Sequence, residues 1–359
     1  MLSIFMDVDR NGRVLKGLGV RGPIRSVVLV LLLLLVACSG QKEYRIAGRT
    51  MGTTYHIKFV GNRSVDVAAV QASVDACLEE INQSMSTYRP DSEISRFNAF
   101  GEVNRPFAVS ADFWKVMVTA RDIYRLTGGA WDGTVDPLVN LWGFGKAGPL
   151  EKMPAADEVA RIRGQVGFDL IGVGGTPVLI KKVAAVSVDL ASIAKGYGVD
   201  RVASVLRSSG FVDYLVEVGG EVFAAGRRLD GKPWRVGINR PRPEAAAEEV
   251  YKVVALQNNA LATSGDYRNF YEIDGRIYSH IIDPRTGYPL ENGVVSATVV
   301  ADSCTLADGL ATAVMILGPE KGIALIDALT GVEALIVVRH ADGRFSDHFS
   351  QGMERFFAD

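Results

Sequence analysis

Cysteine and histidine are scarce in this chain of 359 residues, which holds 3 Cys and 4 His. Cys38, Cys77 and Cys304, with His56, His280, His340 and His348, have no zinc-ligand spacing and form no disulfide framework. A bound metal is therefore expected to be held mainly by oxygen. A basic excess is missing as well: 39 Lys and Arg stand against 41 Asp and Glu, a formal net charge of −2. That excludes a protein built to neutralise phosphate backbones, and no nucleic-acid partner is expected. Long hydrophobic runs are absent too. The longest, Val27–Ala37, has eleven residues, whereas a helix across a bilayer needs about 20. No repeat, low-complexity block or long linker interrupts residues 45–359. What remains is ordinary globular composition, 48% hydrophobic and 22% charged, in a chain long enough to bury a substantial core.

The N-terminus departs from that average. Arg10, Arg13, Lys16, Arg21 and Arg25 stand against Asp7 and Asp9, and the apolar run follows. A basic region before a short apolar one reads as a secretory signal. Leu35-Val36-Ala37-Cys38-Ser39-Gly40 then resembles the lipobox of bacterial lipoproteins, in which the Cys is lipidated and becomes the new N-terminus. The expected organisation is a lipoprotein signal peptide over 1–37, a lipidated tether over 38–44 with Cys38 as the lipidation site, and one domain over 45–359. Losing the five cations and two anions of 1–37 turns the −2 of the whole chain into −5. The expected location is the bacterial cell envelope, anchored by acyl chains and facing the periplasm, with Ser39 pointing to the outer rather than the inner membrane.

Within the domain, Tyr44–Val60 alternates as one or two strands around a turn at Met51-Gly52-Thr53. Apolar spacing predicts helices over 64–86 and 111–127, the second stopped by Gly128-Gly129, and further helices over 192–208, 303–317 and 319–329. Strands are expected near 177–189, 213–218, 221–226, 234–238, 251–257, 276–282, 294–301 and 334–339. Residues 226–233 and 239–248 read as surface loops. Strands and helices without regular βαβ alternation indicate an α+β fold.

Six polar, glycine-containing segments lie between these apolar elements. Met51-Gly52-Thr53-Thr54-Tyr55 offers backbone N–H groups on a turn. Met85–Ser95 places Tyr88 beside Pro90, where its ring can stack on a ligand, and Ser92 where it can cap a short helix. Gly128–Gly145 combines glycines that admit close backbone approach with Asp132 and Thr134. Val188–Gly198 passes from strand to helix, a start suited to anions, with Lys195 one turn in. Tyr278–Pro289 carries His280 at a strand end, where it can take a proton from a hydroxyl. In Ala301–Ala313, Asp308 and Thr312 are four apart, so one helix face presents a carboxylate and a hydroxyl to a hard cation. Taken singly, each segment also has an ordinary structural reading as turn, cap, loop or helix surface.

Together and in this order, the six segments resemble the ApbE family of FAD:protein FMN transferases, over about Arg45 to Thr330. The resemblance implies a single compact α+β unit of the T-fold-like type. It implies FAD as substrate, Mg²⁺ as cofactor, and transfer of FMN to a threonine hydroxyl as a phosphoester with release of AMP. It implies FAD contacts from Met51, Tyr88, Ala130, Trp131, Asp132, Asp189, Lys195 and Ile281, and metal ligation by Ser192, Asp308 and Thr312. His280 matches the family's base, with Asp283 nearby to orient it. Some members carry a further carboxylate where this chain has Thr305. The implied partner is a flavoprotein with a threonine flavinylation motif, of the respiratory redox-complex type. Two alternatives keep the same site: an FAD pyrophosphatase yielding FMN and AMP, and an FAD-binding lipoprotein without catalysis.

Overall fold

A computed structural model of the chain describes residues 40–145, 148, 150, 152–242, 249–266, 270–273 and 276–358. The expected signal peptide and Cys38 lie outside the described residues. One compact unit runs from Lys42 to Asp359.

Its centre is an eight-stranded sheet: β1 (Gln41–Thr50), β2 (Thr53–Asn62), β3 (Tyr214–Val218), β4 (Glu221–Ala225), β5 (Asn259–Gly265), β6 (Val294–Ala301), β7 (Glu333–Arg339) and β8 (Phe345–Phe349). The strands lie side by side in chain order. Every neighbouring pair from β2 to β8 is antiparallel. The sheet is therefore a meander into which other elements are inserted. Between β2 and β3 come α1 (Val67–Met85), α2 (Glu93–Ala99), α3 (Ala111–Leu126), α4 (Asp136–Leu141), α5 (Ala156–Arg163) and α6 (Ala191–Ser208); α7 (Cys304–Asp327) joins β6 to β7.

At its centre the sheet is buried on both faces. Phe223, Ala260, Ala262 and Ala297 pack with Val199, Val202, Leu310 and Val314 of α6 and α7. On the other face Val222, Ala224, Leu261 and Leu335 meet Trp234, Val254 and Leu256 of the hairpin Trp234–Asn239/Val250–Leu256. Double coverage explains why every residue of β6 is buried. Val294 and Ala297 both face the helices although three residues apart, because a bulge between Val294 and Ser296 shifts the register.

Four helix starts carry side-chain caps, that of Ser92 as expected. Asp66, Ser92, Ser110 and Ser303 each accept a hydrogen bond from the backbone N–H three residues on. The break expected between 317 and 319 is present as a kink at Gly318, whose φ of 77° is followed by Pro319. Two expected strands differ. The reading of 177–189 as one strand is corrected to Val178–Lys181. Val186 and Val188 beyond it are buried without a partner strand, because the Asn98 side chain donates to the Val188 carbonyl and accepts from its N–H, both at 2.8 Å. The stretch 276–282 is split into Arg276–Ser279 and Ile282–Asp283, leaving His280 and Ile281 at the bend between them.

The closest helix contact is that of α6 with α7. A Cβ placed on Gly196 would lie 2.4 Å from the Cys304 carbonyl oxygen and 2.9 Å from the Asp308 Cβ. Gly196→Ala is expected to lower stability by about 1–3 kcal/mol through overpacking, despite alanine's better helix propensity. Urea denaturation measures it.

Candidate active site

Because α6 and α7 touch backbone to backbone, their first turns open into the same space. The Gly196 N–H of α6 donates to Oδ2 of Asp308 on α7 at 3.0 Å. Asp308 and Thr312 share a helix face as expected, and the Thr312 hydroxyl lies 2.9 Å from that of Ser264 on β5. Asp200 holds the start of α7 by accepting from Ser303 Oγ, the Cys304 and Thr305 N–H groups, and Thr305 Oγ1 at 2.6 Å. The Thr305 hydroxyl is thereby committed to a cap. Cys77 and Cys304 are both free and buried.

These elements wall a cavity of about 370 Å³ lined by Ala130, Trp131 and Asp132 on one side, Ser192 and Lys195 on another, and Ser264, His280, Ile281, Asp308 and Thr312 on a third. A second hollow, about 940 Å³, is lined by Met51, Asn82, Tyr88 and Arg89. Asp189, Ala191 and Lys195 line both. Met51 (φ 50°) and Gly52 (φ 72°) form the two-residue turn between β1 and β2, with the φ signature of a type I′ hairpin. A non-glycine residue there is uncommon, and such backbone strain clusters where ligands bind. Tyr88 in the wall of this second hollow is 86% exposed.

The electrostatic centre is a trio. Lys195 Nζ lies 2.6 Å from Glu221 Oε2, the first residue of β4, which is 3% exposed, as is Asp308. Burial pushes the Glu221 and Asp308 carboxyls up, and Lys195 opposes this in both. Burial works against the Lys195 ammonium, but the Asp308 and Glu221 charges outweigh it and its pKa rises. The two acids and the ammonium lie in the cavity wall with Thr312, Ser264 and Ser192. Among the described residues no cluster of three or more His, Cys, Asp or Glu side chains can hold a metal. The donors at hand are one carboxylate and several hydroxyls, which fits a hard divalent cation that keeps waters and shares phosphate oxygens.

Several expected contacts have internal work. The buried Trp131 indole donates to Ser192 Oγ at 2.9 Å. Asp132 accepts from the Thr134 N–H and hydroxyl at 2.8 and 2.6 Å and from the Phe168 N–H, organising the glycine-rich loop. Asp189 accepts from the Ala191 N–H at 2.7 Å, at the start of α6. Asp283 departs from expectation: its carboxylate holds Arg285 through the backbone N–H, Nε and Nη2 at 2.7–2.9 Å, and it does not line the cavity with His280. The short Asp-Pro-Arg turn favours that pairing. His280 itself meets the Phe144 ring edge-on at 6.3 Å. Sequence reasoning missed Glu221 and Ser264. For Glu221 a signal existed, an acid heading an otherwise apolar strand after Gly219-Gly220; Ser264 carried none.

The ApbE family model matches residues 51–336. The FAD:protein FMN transferase of Vibrio cholerae is 43% identical over 334 residues, 92% of this chain and 98% of the relative. That of Haemophilus influenzae is 39% identical over 325 residues, 88% and 93% of the two chains. Among solved structures, the flavin transferase ApbE from Vibrio cholerae aligns with a TM-score of 0.80 at 42% identity, covering 88% of this chain and 99% of that one. The apo form of Pseudomonas stutzeri flavinyl transferase ApbE gives 0.79 at 38%, covering 89% and 98%.

Burial raises the Asp132 pKa to about 6. A carboxyl raised on folding favours the folded state while protonated, so its contribution is full below about pH 4 and is lost as pH rises through about 6. The stability of Asp132→Asn relative to the parent is therefore expected to climb by up to about 2 kcal/mol between pH 4 and pH 7. Denaturant titrations of both proteins at each pH test it.

Proposed function

The chain belongs to the ApbE family, and on that premise we propose that it is an FAD:protein FMN transferase that uses Mg²⁺ to move FMN from FAD onto a threonine hydroxyl of a target flavoprotein, releasing AMP. The observation that carries this reading is the junction of two cavities at Asp189, Ala191 and Lys195, with His280 in the wall of one. A dinucleotide has two bulky halves joined by a diphosphate. Two hollows meeting at a lysine and a helix start suit that shape and charge.

In this reading His280 accepts the proton of the threonine hydroxyl. The oxygen attacks the phosphorus of the FMN half, a new P–O bond forms, and the bridging P–O bond breaks with its electrons passing to the phosphate of AMP. Lys195 and the start of α6 stabilise the charge gathering on phosphate oxygens. Asp308 and Thr312, with Ser192, would hold Mg²⁺, which neutralises diphosphate charge when bound. Met51 and Tyr88 serve one half of FAD, while Ala130, Trp131, Asp132 and Ile281 wall the other. Asp132 and Trp131 act through the loop they order as well as by contact. The lipobox-like segment supports a lipid anchor at Cys38 and work in the cell envelope facing the periplasm, on acceptors of the respiratory redox-complex type.

His280→Ala is expected to bind FAD but to lose transfer by at least 100-fold. Incubation with FAD, Mg²⁺ and a candidate acceptor, followed by denaturation and in-gel flavin fluorescence, reads the outcome. Chelating the metal should abolish the signal in the parent protein. Free FMN without labelled acceptor would identify hydrolysis instead.

A further inference from the structure

Lys195 faces both cavities, yet a lysine ends a flexible four-carbon stem, and a charge that stabilises a transition state must be held in place beforehand. The structure has a device for that. Gly219 (φ 59°) and Gly220 (φ 104°) turn the chain from β3 into β4. A Cβ on Gly219 would lie 3.2 Å from Lys195 Cδ and 2.7 Å from Thr53 Cγ2, so only a bare backbone lets the stem pass. Two residues on, Glu221 faces the helical layer, on the same side of β4 as Phe223. Its carboxylate belongs to the wall of the first cavity and is buried against the ammonium, at 3% exposure against 30% for the Lys195 side chain. The Lys195 ammonium, 2.6 Å from Glu221 Oε2, is the charge that opposes the burial of that carboxylate.

We propose that Glu221 is a positioning residue for the transfer reaction: it anchors the Lys195 ammonium at the junction of the two cavities, giving up affinity for FAD in exchange for alignment in the transition state. This inference rests on the reading of the site as an FMN transferase. An anion beside a diphosphate opposes ground-state binding, so a carboxylate kept there is explained only by what it does to the lysine. Interactions that strengthen in the transition state raise turnover, whereas uniform attraction does not. Lys195 donates toward Glu221 and keeps further N–H donors for phosphate oxygens.

The test compares the parent protein, Glu221→Gln, Lys195→Met and the double variant. FAD affinity is read by flavin fluorescence quenching with metal chelated, and kcat and KM for FAD by AMP release with Mg²⁺ and acceptor. Glu221→Gln is expected to bind FAD at least as tightly as the parent while kcat falls tenfold or more. Lys195→Met is expected to lose in both, and the double variant to be no slower than Lys195→Met alone. A kcat for Glu221→Gln within twofold of the parent overturns the proposal. So does a loss of affinity and kcat in step with a lowered melting temperature, or a double variant slowed by the product of the single losses. If Glu221→Gln does not fold, Glu221→Asp, which keeps the charge but withdraws it by one methylene, should show reduced kcat at unchanged affinity; parental kcat there overturns the proposal. If the parent itself releases no AMP, the reading of the reaction fails instead, and weaker FAD binding by Glu221→Gln would then still count against the role given to Glu221.

Discussion

Two buried carboxylates around one ammonium are the interaction on which the site depends. Taking Glu221, Asp308 and Lys195 out of water is unfavourable, and their mutual attraction only partly offsets it. The surrounding structure carries that cost. The buried centre of the sheet and the contact of α6 with α7 hold the two carboxylates out of solvent and leave the ammonium facing the cavities. Gly196 and Gly219 belong to the same constraint: one brings the helix that bears Lys195 against the helix that bears Asp308, the other clears the path of the lysine stem. Buried titratable groups with perturbed pKa values in a cavity wall are arrangements that mark functional sites.

Around this centre the polar residues divide into those that face the cavities and those that shape them. Asp132, Asp200 and Asn98 spend their hydrogen bonds on backbone N–H groups and neighbouring side chains of distant segments. They fix the glycine-rich loop, the start of α7 and the approach to α6, which local sequence could not order. Asp283 belongs with them, since its carboxylate organises the turn after His280 by clasping Arg285. Many of the acids near the site thus build it, and fewer are left for chemistry than a count of carboxylates suggests.

Much of the fold was legible because local signals agreed with the final structure. The cap at Ser92, the Gly-Gly stop after α3 and the Gly318-Pro319 break follow from backbone chemistry that acts within a few residues. Where the reading failed, the deciding contact was remote. Residues 183–189 alternate like a strand, but Val188 bonds the Asn98 side chain, 90 positions away, and the Asp189 N–H donates to the Gly133 carbonyl. Thr305 offered a hydroxyl beside a proposed metal site, and only the fold reveals that Asp200 takes it.

By itself the sequence determined the α+β class, many of the elements though not the central strand Asn259–Gly265 or the edge strand Phe345–Phe349, and the set of polar segments from which a flavin-transferring site is assembled, through periodicity, capping and resemblance to the ApbE family. The tertiary structure decided which of those segments converge, that Asp189 and Lys195 join two cavities, and that Glu221 is buried against the lysine ammonium. The reason lies in range. Helix and strand signals are written in neighbours a few residues apart, whereas the charge balance at Lys195 is set by residues 26 and 113 positions further along, brought together only when the sheet closes under α6 and α7.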